Sequence, residues 1–209
     1  MSLRIIIPVK PFAEAKQRLS PVLKPPARAR LAEELLRHVL ATAIGVAHAR
    51  AVIVVSRGSE VLSLAQAMGA TGLAESSRPD LNAALGQAAE FARARGASKI
   101  LVLASDLPLL CEPDLVALIA ESCAVAPDRH GRGTNALLWP TTPAIGFHFG
   151  DNSFTHHCAA AKAAGVDPKI VSRPGLGHDV DLPSDLLDLP STSEAPGTTG
   201  ILAVCQSVS

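Results

Sequence analysis

Tyrosine is absent from this 209-residue sequence, tryptophan occurs once, and aromatic residues make up only 3% of it. So few flat rings leave little on which single-stranded bases could stack. Net charge is missing too: 19 basic residues balance 19 acidic ones, leaving no global field to hold a polyanion or an anionic membrane surface. Both deficits argue against a nucleic-acid partner. No apolar run approaches the roughly 20 residues that span a bilayer. The N-terminus, Met1-Ser2-Leu3-Arg4-Ile5, lacks the charged-then-apolar pattern of a signal peptide. A cytoplasmic protein with no membrane attachment is the expectation. The four cysteines, Cys111, Cys123, Cys158 and Cys205, form no CxxC pair, so zinc spacing is absent and buried or inert thiols are expected. There is no GxxxxGK[ST] phosphate cradle. Gly131-Arg132-Gly133-Thr134-Asn135-Ala136 matches GxGxxA but precedes a strand-like run instead of opening a helix, which removes it as a dinucleotide fingerprint. Its glycines fit a place where backbone approaches a ligand closely.

Hydrophobic surface, by contrast, is plentiful. At 48% of residues it suits one domain with a substantial core. Apolar runs rich in β-branched residues at 3–9, 51–56, 99–104, 136–139 and 169–172 read as strands buried on both faces. Helical spacing covers 27–49, where Leu31, Leu35, Val39 and Ala43 recur, and extends to 60–68, 81–95, 112–121, 153–164 and 184–189. Gly69, Gly96 and Gly165 read as stops, and Pro113 as a first-turn residue. Alternation of this kind predicts an α/β fold with a mostly parallel sheet flanked by helices, in a single domain over 1–190. From Pro190 onward the composition turns to Ser, Thr, Gly and Pro, so 191–209 is expected to be a loosely held tail with a short edge strand at 201–204.

Three carboxylates then attract notice. Asp106 follows the most hydrophobic strand directly, in Ala104-Ser105-Asp106-Leu107-Pro108, and ligands in open α/β sheets sit at the carboxyl ends of strands. A helix cap or turn would use such an aspartate equally well. Asp179 and Asp181 lie in Gly177-His178-Asp179-Val180-Asp181-Leu182-Pro183. In an extended segment both would face one way while Val180 turns to the core. Like charges so placed repel unless a cation sits between them or water separates them. Magnesium suits that place, since it takes one or two carboxylates and fills its remaining positions with water and substrate phosphate. A solvated acidic turn capping the next helix is the alternative.

Beyond the first strand lies Lys10-Pro11-Phe12-Ala13-Glu14-Ala15-Lys16-Gln17-Arg18-Leu19-Ser20-Pro21. Its prolines bound a loop with three cations, Lys10, Lys16 and Arg18, which could stabilise the charge of a departing pyrophosphate or form an ordinary basic surface. His156 and His157 are adjacent on a predicted helix, point to different faces and form no compact metal pair. Both are read as surface or packing residues.

With these segments in hand, the chain resembles the phospholactate guanylyltransferase family of coenzyme F-420 biosynthesis. The matching stretches are IPVKPFAEAKQRL at 7–19, ASDLPLL at 104–110, APDRHGRGTNALL at 126–138, FGDNSF at 149–154 and GLGHDVDLPSDL at 175–186. The resemblance implies a Rossmann-like, GT-A type nucleotidyltransferase domain, GTP as donor, Mg2+ as cofactor and a phosphorylated three-carbon acid as acceptor: phosphoenolpyruvate, 2-phospholactate or 3-phosphoglycerate. It implies Asp106, Asp179 and Asp181 as metal ligands and Lys10, Lys16 and Arg18 as the triphosphate loop. Thr134, Gly150 and Ser153 would contact the acceptor's carboxylate, and Asn82 the nucleotide. It is compatible with a homodimer and with a downstream transferase that takes the labile product. Asp151-Asn152 stands where the family often has Pro-Gly, and His178 and Leu182 where it has an aliphatic residue and threonine. A cytidylyltransferase, a DxD glycosyltransferase or a non-catalytic nucleotide-binding module are the competing readings.

Overall fold

Ile5, Ile6 and Ile7 alternate between the two faces of a sheet, and both faces are covered. A computed structural model describes residues 2–76, 80–189 and 201. In it β1 (Leu3–Pro8) lies near the middle of seven strands, between β2 (Val52–Ser56) and β4 (Lys99–Leu103), with Ile5 opposite both Val52 and Leu101. Beyond β2 comes β3 (Thr71–Ala74); beyond β4 come β6 (Thr134–Pro140), β5 (Ala124–Pro127) and β7 (Lys169–Ile170). Strands β1 to β4 run parallel to their neighbours among themselves, and β5 to β7, while β6 runs antiparallel to both β4 and β5.

On one face Ile5, Ile7, Val52, Val54, Leu101 and Leu103 meet α1 (Pro25–Ala47), α2 (Ser59–Ala67) and α4 (Glu112–Ile119). On the other, Ile6, Ile53, Val55, Ile100 and Val102 meet α3 (Leu81–Arg93), whose Ala84, Ala88, Ala89 and Ala92 are small enough for close approach, and α5 (Ser153–Ala163) adds Ala161. Burial on two faces is why these strands read as unbroken apolar runs. Gly69, Gly96 and Gly165 end their helices at φ of 84°, 78° and 74°, backbone that glycine adopts without a Cβ penalty.

The sheet's margins differ from the sequence-based expectation. β3 and β5 were not anticipated, being four residues each and too short to display a period. The run at 169–172 is strand only over Lys169–Ile170. A short helix α6 (Pro174–Gly177) precedes the acidic pair, and α7 (Pro183–Leu187) follows it. Of the expected tail only Ile201 is described: it is helical rather than extended, and it is buried with Leu19, Leu23, Leu31, Leu35, Val180 and Leu189. The rest of the expected edge strand, 202–204, and Cys205 lie outside the described residues. Cys111, Cys123 and Cys158 are free thiols, and burial pushes Cys123 up to about 11. No helix among the described residues is long and apolar enough to cross a membrane.

Candidate active site

At one edge of the sheet the strand ends open into a cleft of about 1180 Å³. That exceeds the ~300–1,000 Å³ of a typical small-molecule pocket and leaves room for two ligands side by side. β1 and β4 deliver their carboxyl ends there, bringing Lys10 and Asp106 to the rim. Because β6 runs the other way, its first residues, Thr134 and Asn135, arrive at the same edge: the Ala104 amide donates to the Asn135 carbonyl at 2.8 Å.

The loop after β1 is anchored by buried Phe12 and Leu19 in two 3₁₀ turns, Phe12–Glu14 and Gln17–Leu19. Between them Lys16 takes a left-handed conformation, φ 54° and ψ 35°, unusual for a residue with a side chain and costing roughly 1–3 kcal/mol. The turn drives its side chain inward, 7% exposed, with Nζ 2.5 Å from Asp106 Oδ2 and 3.2 Å from Asp181 Oδ1. Burial opposes the ammonium's charge, but Asp106 and Asp181 outweigh it and hold the pKa above its ordinary value. Arg18, 73% exposed, reaches Asp181 at 3.7 Å. Lys10 lines the cleft from the rim.

The acidic pair is held by its surroundings rather than by a strand. Val180 turns into the core as its spacing predicts, and its amide donates to the Asp106 carbonyl at 3.2 Å, which stitches the two acid-bearing segments together. Asn135 Nδ2 donates to Asp179 Oδ1 at 3.1 Å and to the Leu176 carbonyl at 3.0 Å. Burial and the neighbouring Asp106 push the Asp179 carboxyl above its ordinary value, against the Asn135 hydrogen bond. Asp106, Asp179 and Asp181 therefore share one cleft wall. Among the described residues no three acidic, histidine or cysteine side chains stand close enough to form a ready-made ion site, and the Lys16 ammonium lies between Asp106 and Asp181.

At the cleft's other end Thr134, Gly150 and Ser153 come together with Arg132. Gly150 has φ 134° and Asn152 φ 54°; the loop bends there to present α5 end-on. The first amides of α5 are already engaged, Ser153 N with the Gly150 carbonyl and Phe154 N with the Arg132 carbonyl. Ser153, which lines the cleft, thus has its backbone N–H already committed. Asn82 stands apart from this wall: its side chain bonds both backbone polar groups of Phe149, donating at 3.0 Å and accepting at 2.8 Å, and so ties the 149–153 loop to α3. Toward β2 and β3 the cleft is lined by Val55, Arg57, Glu75 and Leu81.

Several site residues escaped the sequence reading. Asn135 and Arg132 lay inside a quoted motif without a role of their own; the signal was a polar residue opening an otherwise apolar strand. Asp185 accepts the amides of Asp181 and Leu182, each at 2.7 Å, and pairs with Arg129. Of the adjacent histidines, His156 is exposed and His157 fully buried, on different faces as expected.

Comparison with known proteins places the chain in a family. The family described as "Guanylyl transferase CofC like" matches residues 3–195. The chain is 41% identical over 194 residues to the phosphoenolpyruvate guanylyltransferase of Rubrobacter xylanophilus, covering 90% of this chain and 94% of that one. It is 34% identical over 186 residues to the 2-phospho-L-lactate guanylyltransferase of Methanothermobacter thermautotrophicus, covering 87% and 81%. A solved nucleotidyl transferase from the same Methanothermobacter species superposes with a TM-score of 0.60 at 18% identity, covering 89% of this chain and 94% of that one, which speaks to the fold alone. Sharing that nucleotidyltransferase fold and matching the family over nearly its whole length, this chain belongs to the CofC-like guanylyltransferases.

Proposed function

We propose that this chain transfers the GMP moiety of GTP to the phosphate of a small three-carbon phosphoacid, phosphoenolpyruvate, 2-phospho-L-lactate or 3-phospho-D-glycerate, and releases pyrophosphate in coenzyme F-420 biosynthesis. The observation that carries this reading is the two-ended cleft. Cations and carboxylates occupy its middle, and a hydroxyl-lined recess with one arginine stands opposite the end lined by Val55, Arg57 and Glu75.

A phosphate oxygen of the acceptor attacks the α-phosphorus of GTP. The bond from that phosphorus to the β-phosphate oxygen breaks, and pyrophosphate leaves with the electron pair. The attacking phosphate is already anionic at neutral pH, so no side chain has to remove a proton. Lys10 and Arg18, on the rim, would meet the developing charge of the pyrophosphate. Lys16 holds Asp106 and Asp181 in register and sets a positive charge between them. Arg132 would meet the acceptor's phosphate, while the hydroxyls of Thr134 and Ser153 take its carboxylate.

Mg2+ suits the hard carboxylate oxygens that Asp106, Asp179 and Asp181 present beside the Lys16 ammonium, and among the described residues no cation pairs with Asp179, which burial and Asp106 push up. Asp106, Asp179 and Asp181 would hold the ion, which when bound offsets the repulsion between two phosphoryl groups and aligns them. The product is a reactive phosphoanhydride, so a downstream transferase would consume it directly.

The test is to incubate the purified protein with Mg2+, each phosphoacid and GTP, CTP or ATP in turn, with that downstream transferase as a trap, and to identify products by mass. Pyrophosphate and a guanylylated acid formed from GTP alone are expected. A nucleoside diphosphate product, or equal use of CTP, would overturn the reading.

A further inference from the structure

His157 is fully buried on α5, one turn beyond Ser153, with its ring 4.6 Å from that of Phe149 and 6.1 Å from that of Trp139 between centroids. The proposed reaction gives it no part, yet both of its nitrogens are engaged. Nε2 lies 2.9 Å from the backbone N of His148. An amide N–H can only donate, so Nε2 accepts and carries no proton. A neutral ring then bears its proton on Nδ1, 3.0 Å from Thr134 Oγ1. Thr134 accepts that proton's hydrogen bond. Its own hydroxyl hydrogen must point elsewhere, and Thr134 lines the cleft. A threonine hydroxyl ordinarily rotates to suit its surroundings; this one has one of its two lone pairs held from behind and its proton turned away from the ring.

We propose that His157 is a positioning residue for the acceptor: donating from Nδ1, it fixes the Thr134 hydroxyl as a donor into the cleft, where it selects a carboxylate oxygen of the substrate. The same ring, through the His148 amide, holds the start of the loop that carries Gly150, and it shares a helix with Ser153. One imidazole therefore couples all three elements of the acceptor end. Burial, with His148 and His156 adding repulsion, keeps the ring neutral with a pKa lowered to about 4, as this hydrogen-bond pattern requires. The inference rests on reading Thr134, Gly150 and Ser153 as the carboxylate end of the acceptor site.

Two amide variants separate the two nitrogens. In His157→Asn the side-chain N–H can stand where Nδ1 does and keep the donor to Thr134. In His157→Gln the amide oxygen reaches toward Nε2 and serves the His148 amide, leaving Thr134 without its donor. Pyrophosphate release is followed with GTP saturating and phosphoenolpyruvate or 2-phospho-L-lactate varied, then the reverse. His157→Gln is expected to raise the acceptor KM by about tenfold with the GTP KM unchanged, while His157→Asn stays within about threefold. His157→Gln should add nothing in a Thr134→Val background. Both variants shifting the two KM values together, in step with lowered thermal stability, would reduce His157 to a packing residue and overturn the inference. Thr134→Val raising the acceptor KM while His157→Gln adds independently to it overturns the inference alone. Thr134→Val leaving the acceptor KM untouched overturns the acceptor-site reading and takes the inference with it. ¹⁵N NMR of the unsubstituted chain reads the tautomer without any variant: a proton on Nδ1 is expected, and a proton on Nε2 overturns the inference.

Discussion

Lys16 combines a strained backbone, near-complete burial and two carboxylate partners, a concentration of cost that proteins keep at functional sites. Its neighbours carry the sharpest test. Asp106→Asn and Asp179→Asn each keep the shape of the side chain while removing its charge, so the fold should survive, with an unchanged circular dichroism spectrum. Turnover measured by pyrophosphate release should fall by roughly 10²-fold or more. A drop of only a few-fold at saturating Mg2+ would remove these acids from ion binding. His157 supplies a second prediction. Its folded pKa of about 4 lies below the unfolded value of 6.5, so between those values the unfolded chain binds the extra proton. The stability this provides is fully present above pH 6.5 and is lost as pH falls toward 4, amounting to about 3 kcal/mol. Urea unfolding at pH 7, 5.5 and 4.5 should show His157→Asn with a shallower loss than the unsubstituted chain.

At the scale of elements, the segment between α6 and α7 is where the chain turns sequence into a site. Nothing in it is strand. Its shape comes from Val180 packing beneath it, from Asn135 reaching across from β6, and from Asp185 gathering the Asp181 and Leu182 amides at the start of α7. Burial works against the charge of Asp185, but those amides and Arg129 outweigh it and hold the carboxyl below its ordinary value. Asp185→Ala should therefore lose about 1–2 kcal/mol of cap and pair energy. Because Asp181 would be freed as well, kcat/KM for GTP should fall by about tenfold or more. An activity unchanged beside a lowered melting temperature would confine Asp185 to stability. The outline of this element was legible: alternation alone sent Val180 inward and the two acids outward. The clamp was not, because Arg129 and Asp185 are 56 residues apart and no local pattern links them.

Over the whole molecule, the floor beneath the acids is a shared apolar cluster. Val180 shares this cluster with Leu31 and Leu35 of α1, Leu19 of the cationic loop, and Ile201. Ile201→Ala should cost about 2–4 kcal/mol in urea unfolding and lower turnover along with it, whereas a neutral result would detach that residue from the domain. The order of β-branched runs and amphipathic helices determined an α/β sheet covered on both faces, because only doubly buried strands are apolar throughout. It also determined that Asp106, Lys10 and the acidic pair sit at turns, because prolines and glycines end the elements around them. Tertiary structure alone decided the direction of β6, since an apolar run reads the same both ways, and that direction brings Thr134 and Asn135 to the edge that carries the cleft. It alone decided that Lys16 lies between two acids instead of in solvent, and that of two neighbouring histidines one is buried against Thr134. Such outcomes depend on distances between residues far apart in the chain, which helix rotation and sheet register set and local sequence does not encode.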